Sequence, residues 1–131
     1  MSDGEEKPDG FSFAGIVAGL KDSKKKDLAL ILAPKNSICT GLFTQSTVRA
    51  SCVDICEQRI KKSSGQIRAI LINSGQANAC TGDFGTQHTL IATKEVSQLL
   101  GINEEEVLMC STGVIGVPLS LIHIWRCRRR G

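Results

Sequence analysis

The chain has no tyrosine, four phenylalanines and a single tryptophan, so aromatics make up 4% of its 131 residues. A surface that reads nucleic acid needs basic residues or aromatics spread over one folded face, and this composition gives that reading little to work with. Histidine is nearly as scarce. Only His88 precedes residue 119, and it falls inside an expected helix, where a surface or half-buried position suits it better than a role as catalytic base. Nothing in the sequence resembles a metal-ligand cluster. Long apolar runs are missing as well: Leu28 to Ala33 is six residues, far short of the roughly 20 that cross a bilayer. The opening MSDGEEKPDG is acidic and polar, the opposite of a secretory signal. These absences point to a cytoplasmic protein without membrane partners.

Six cysteines are present, at 39, 52, 56, 80, 110 and 127, but no CxxC pair. In a reducing compartment they are not read as disulfides. Cys52 and Cys56 stand one helical turn apart and could form half a metal site. Two thiols packed on a buried helical face is the better reading, because a free cysteine packs as a small hydrophobe. Acidic residues stop at Glu106, and Arg126, Arg128, Arg129 and Arg130 supply much of the net charge of +3. Without those four the basic residues number 12 against 13 acids, so the body of the protein is not basic.

What remains is a chain 41% hydrophobic and 22% charged, long enough for one domain with its own core. Residues 1–9 read as a disordered leader. GFSFAGIVAGLK reads as extended backbone, and DLALILA and SICTGLF as two buried strands separated by a Pro34-Lys35-Asn36 turn. Ser51 to Lys62 fits a helix with Cys52, Ile55, Cys56 and Ile60 on one face, an acid in its first turn and lysines at its end. IRAILI (67–72) is a strand. A second helix spans roughly Phe84 to Leu100, with Ala92, Val96, Leu99 and Leu100 inward and Gly101 as its stop; VLMCS is the next strand. The order predicts an α/β fold, mixed strands and helices in stacked layers.

Two glycine-bearing stretches could carry chemistry. NSGQANACTG (73–82) lies between a strand and a helix, but it is neither GxGxxG nor a P-loop, and on spacing alone a tight turn explains it. In STGVIG (111–116), the Thr112 hydroxyl and the Gly113 backbone N–H offer two neutral donors to one space, the requirement of an oxyanion hole. On spacing alone an ordinary strand-ending turn again explains it better.

Together, GFSFAGIVAGLK, DLALILA, TGLFT, INSGQANACTG and STGVIG resemble, in this order, the ornithine acetyltransferase family, the bifunctional glutamate N-acetyltransferases of arginine biosynthesis. The resemblance covers about residues 10–118. Gln76, Ser46 and Cys52 depart from residues frequent in the family. The resemblance implies an ornithine-acetyltransferase-like fold, here incomplete. It implies acetyl transfer from N-acetylornithine to glutamate through a threonine acetyl-enzyme, with no cofactor and with acetyl-CoA open as an alternative donor. It also implies a precursor that cleaves itself before that threonine, and maps the oxyanion donors onto Thr112 and Gly113. The family's nucleophile lies beyond STGVIG in an Ala-Thr-Met-like context. Here the only Ala-Thr pair is Ala92-Thr93, followed by Lys94. The expectation is therefore an inactive N-terminal part of the α subunit (residues 10–118), whose partners are the rest of that subunit and the β subunit.

Residues 119–131, from LSLIHIWRCRRR onward, differ abruptly in composition. With TGA read as tryptophan, Leu119 to Arg129 back-translates into a transposase adapter used for sequencing libraries, so this tail is expected to be foreign to the gene. The competing readings are a small non-catalytic binding module whose arginine tail contacts nucleic acid, and a stand-alone interaction domain of the same fold.

Overall fold

The computed structural model describes residues 6–78 and 82–114, and nothing of the side chains of Gln76 and Val114. The suspected foreign tail therefore lies outside the described residues, as do residues 1–5 of the expected leader; residues 6–9 are exposed and neither helical nor strand. Four strands, β1 (Ser12–Ile16), β2 (Leu28–Leu32), β3 (Ala69–Gln76) and β4 (Val107–Val114), form one sheet in the order β1-β2-β3-β4. β1 and β2 are antiparallel, as are β2 and β3, while β3 and β4 run parallel. That parallel pair needs a crossover, supplied by helix α2 (Gly82–Leu100). Helix α1 (Ser51–Lys62) joins the second and third strands. The architecture is the expected mixed α/β arrangement, a sheet with two helices packed on it.

Side-chain alternation sorts the sheet into two faces. Leu30, Leu71 and Met109 are aligned across β2, β3 and β4, and pack with Cys52 of α1 and Ala92 and Val96 of α2 into the main core. The opposite face carries the row Phe13, Ile31, Ile70 and Leu108. There, Leu108 is covered by Cys56, Phe43 and Ile60, whereas Phe13 is 46% exposed.

Helix α1 closes the outer edge of β4. Pairing with β3 occupies one edge of the strand; on the other, backbone groups of Val107 and Met109 face α1. The Arg59 guanidinium donates to the Val107 carbonyl at 2.8 Å, and the Cys56 thiol donates to the Met109 carbonyl at 3.3 Å while accepting from the Met109 N–H at 3.4 Å. Cys52 accepts a hydrogen bond from the Ser111 backbone further along the same edge. The register works because one helical turn advances about 5.4 Å and two strand residues about 6.6 Å, so positions 52, 56 and 59 address 111, 109 and 107 in turn. Cys52 and Cys56 are thus buried helical thiols, 3% and 6% exposed, as their spacing suggested.

Burial, the largest influence on it, pushes the Cys56 thiol up to about 11. At pH 8 that leaves roughly a thousandth as thiolate, the reactive form. Iodoacetamide should therefore leave Cys52 and Cys56 unmodified in the folded chain and label both once urea unfolds it; peptide mass mapping checks this, and rapid labelling of Cys56 in the native state would contradict the packing.

Three expectations change. SICTGLF is not a strand: Ile38 makes an isolated bridge to Gln66, and Leu42 is fully exposed. The Pro34 turn forms, with Ser37 N–H donating to the Pro34 carbonyl, but β2 already has β1 on one edge and β3 on the other, leaving no edge for a returning strand. Second, Leu99 is 61% exposed. The inward face of α2 consists of Gly85, Thr89, Ala92, Thr93, Val96 and Ser97, and the Thr89 and Thr93 hydroxyls donate to carbonyls four residues back, which lets polar residues sit in the interior. Third, both glycine-bearing stretches begin as strand rather than turn: β3 runs on to Gln76 and β4 to Val114. Gly101 does end α2, at φ +66 with the Ile102 N–H returning to the Ser97 carbonyl. No described helix is long and apolar enough to cross a membrane.

Candidate functional site

The parallel strands β3 and β4 end side by side, with Asn73 opposite Ser111, Ser74 opposite Thr112 and Gly75 opposite Gly113. Buried Asn73, 0% exposed, accepts a hydrogen bond from the Ser111 hydroxyl at 2.5 Å and ties the two strand ends together. Thr112 and Gly113, the expected oxyanion donors, follow directly and are exposed. Gly75 and Gly113 have φ of +137 and +128, values that side-chain-bearing residues rarely adopt. The paired glycines therefore give both strands the same unusual backbone conformation at matching positions, while the pairing continues to Gln76 and Val114. Ends of parallel strands are where α/β sheets usually present their ligands.

A cavity of about 400 Å³ lies between α1, the 39–44 segment and the sheet, lined by Cys39, Phe43, Cys56, Ile70, Leu108 and Ser111 among others. It reaches Ser111, one residue short of Thr112. Its walls are apolar, and burial raises the thiols of Cys52, Cys56 and Cys110 alike.

Of the residues weighed as catalytic, His88 is half-buried on α2, tilted against Phe84 with ring centroids 6.4 Å apart; its Nδ1 is buried without a hydrogen-bond partner among the described residues. Thr93 is 0% exposed, with its hydroxyl engaged by the Thr89 and Leu90 carbonyls, which removes it as a nucleophile. Among the described residues no group of three His, Cys, Asp or Glu could hold a metal ion.

One residue beside the site escaped the sequence reading. Asp27, 2% exposed, accepts backbone hydrogen bonds from Ala18 and Leu20 at 2.6 Å and Lys21 at 3.1 Å. Burial alone pushes its carboxyl up, but the N–H groups of Ala18, Lys21 and Leu20 outweigh it together and hold the group below the ordinary carboxylate range. The readable signal was an acid directly ahead of an apolar strand and behind a lysine-rich loop, a place where a carboxylate can collect loose amides.

Comparison with known proteins gives one consistent picture. The model of the ArgJ family matches residues 12–127. The "Arginine biosynthesis bifunctional protein ArgJ" of Prochlorococcus marinus subsp. pastoris (strain MED4) is 89% identical over 121 residues, 92% of this chain and 30% of that protein. Its namesake from Parasynechococcus marenigrum (strain WH8102) is 54% identical over the same shares. Among solved structures, the ArgJ protein of Bacillus halodurans superposes with a TM-score of 0.86 at 33% identity, covering 93% of this chain and 63% of that one. Ornithine acetyltransferase from Mycobacterium tuberculosis, complexed with ornithine, gives 0.85 at 36% identity over 91% and 64%. The chain spans about 30% of the length of these curated relatives.

Proposed function

Because the chain belongs to the ArgJ family, we propose that it forms the N-terminal part of an acyltransferase of arginine biosynthesis that moves an acetyl group from N2-acetylornithine to glutamate. Thr112 and Gly113 are its oxyanion donors, and the observation that carries this role is their placement: an exposed threonine and the adjacent glycine N–H at the end of β4, where Gly75 and Gly113 are paired and share a positive φ.

In this reading a threonine from the rest of the longer protein attacks the acetyl carbonyl of N2-acetylornithine. The carbonyl oxygen becomes negative in the tetrahedral intermediate, and the Thr112 O–H and Gly113 N–H stabilise that charge. Collapse releases ornithine with a proton on its amine and leaves an acetyl ester on the threonine; the glutamate amine then reverses the sequence. The chemistry needs no metal or redox cofactor, and acetyl-CoA would enter only as a second acetyl donor.

The test is a chimera in which residues 6–114 replace the corresponding stretch of the full-length P. marinus MED4 relative. Given N2-acetylornithine and glutamate, it should release ornithine at a rate comparable to the parent, measured by mass spectrometry, while the 131-residue chain alone releases none. A folded, cleaved chimera without turnover, or ornithine production by the chain alone, would defeat the proposal.

A further inference from the structure

Residues 17–26 form a lysine-rich loop between β1 and β2 that lacks helix or strand hydrogen bonding of its own. It is nevertheless held at one point. The Asp27 carboxylate gathers the N–H groups of Ala18, Leu20 and Lys21, three donors that would otherwise face water or each other. The backbone of Asp27 is fixed on both sides: its N–H donates to the Ile16 carbonyl at 3.1 Å, and its carbonyl accepts from Ser74 N–H at 2.8 Å. Asp27 thus joins the end of β1, the loop and the end of β3 through one residue.

The loop held this way presses on the candidate site. A methyl group built on Gly75 would lie 2.9 Å from the Leu20 carbonyl oxygen and 3.2 Å from its carbon, so the Leu20 peptide sits against the bare Gly75 backbone. Gly75 in turn pairs with Gly113. The line runs from the Asp27 carboxylate to the Leu20 N–H, from the Leu20 carbonyl to Gly75, and from Gly75 to Gly113.

We propose that Asp27 is a positioning residue for acetyl transfer: by anchoring the Ala18–Lys21 loop against Gly75 it fixes the strand end that aims the Thr112 hydroxyl and the Gly113 N–H. This rests on the oxyanion role proposed above for those two residues. Asp27 touches no substrate, and its effect falls on the transition state, because small displacements of a donor matter most when charge develops.

The experiment is a double-mutant cycle in the chimera, with kcat expressed per mole of cleaved enzyme. Asp27→Asn keeps the shape and removes the charge that holds three amides; it should lower kcat by roughly 10- to 100-fold with KM little changed. In the Asp27→Asn/Thr112→Ala double variant the hydroxyl is already gone, so only the Gly113 N–H remains to be misdirected. Its loss of turnover should therefore be clearly smaller than the product of the two single effects. Normal turnover in Thr112→Ala would defeat the oxyanion reading, and this inference with it. A slow Thr112→Ala enzyme beside a normal Asp27→Asn enzyme, or a double variant slowed by the full product, would defeat the positioning role alone. Should Asp27→Asn fail to fold, replacing Leu20 by its α-hydroxy acid deletes one donor to Asp27 and keeps the side chain; kcat should again fall ahead of KM, and an unchanged kcat overturns the proposal.

Discussion

Replacing Thr112 by alanine in the chimera should lower kcat by roughly 10²–10³ and leave KM close to its starting value. The asymmetry follows from when the hydroxyl acts. In the bound substrate the acetyl carbonyl is neutral and gains little from one more donor; in the tetrahedral state the oxygen carries a full negative charge. An interaction made mainly in the transition state appears in kcat and in kcat/KM equally. Thr112→Ser, which keeps the O–H, should recover much of the loss. Substitution at Gly113 asks a different question, because its donor is the backbone; a side chain at φ +128 strains the strand end whatever its chemistry. An alanine variant with nearly normal turnover would remove Thr112 from the mechanism.

The second large effect concerns stability. Gly65→Ala should destabilise the fold by about 3 kcal/mol or more, while Gly101→Ala costs only about 1–2 kcal/mol. Both glycines have positive φ, +81 and +66, so both variants incur the left-handed penalty. Their surroundings differ. At Gly101 a Cβ meets nothing within 4 Å, whereas at Gly65 it would lie 2.6 Å from the Cys39 carbonyl oxygen and 3.2 Å from Ile38. That backbone cannot retreat freely, since Cys39 N–H donates to the Gly65 carbonyl at 2.7 Å. Gly65 also closes α1 by returning its N–H to the Ile60 carbonyl at 2.9 Å, after Ser64 has taken φ +54. Urea denaturation of both variants in the same background measures the gap, and equal midpoints would show that the close approach is absent.

Helix α1 could be read from the sequence to the residue, because its apolar spacing, first-turn acid and terminal lysines all agree on one register. What spacing could not show was the position of Arg59. An arginine reads as solvent-facing, yet this one is 7% exposed because the Val107 carbonyl, 48 positions away, accepts a hydrogen bond from it. Periodicity reports only the chain's own neighbours, and Arg59 is buried for a partner it cannot see. Asp27 was hidden for the same reason, its amide partners lying in a loop with no pattern of its own. SICTGLF failed differently: its residues suit a strand, but strandedness needs a free edge, which is a property of the sheet. Spacing read Thr112 and Gly113 as a turn, whereas they lie in β4, and only the order of motifs around them marked them as candidates for a site.

The α1 seal on β4 gives the sheet a direction. Side chains of Cys52, Cys56 and Arg59 occupy the outer edge of β4, whereas among the described residues no strand pairs with the outer edge of β1. A sheet whose two edges were both free could recruit copy after copy into a fibre. Among the described residues, then, the sheet offers an added strand one edge rather than two, and pairing there would extend it in a single direction.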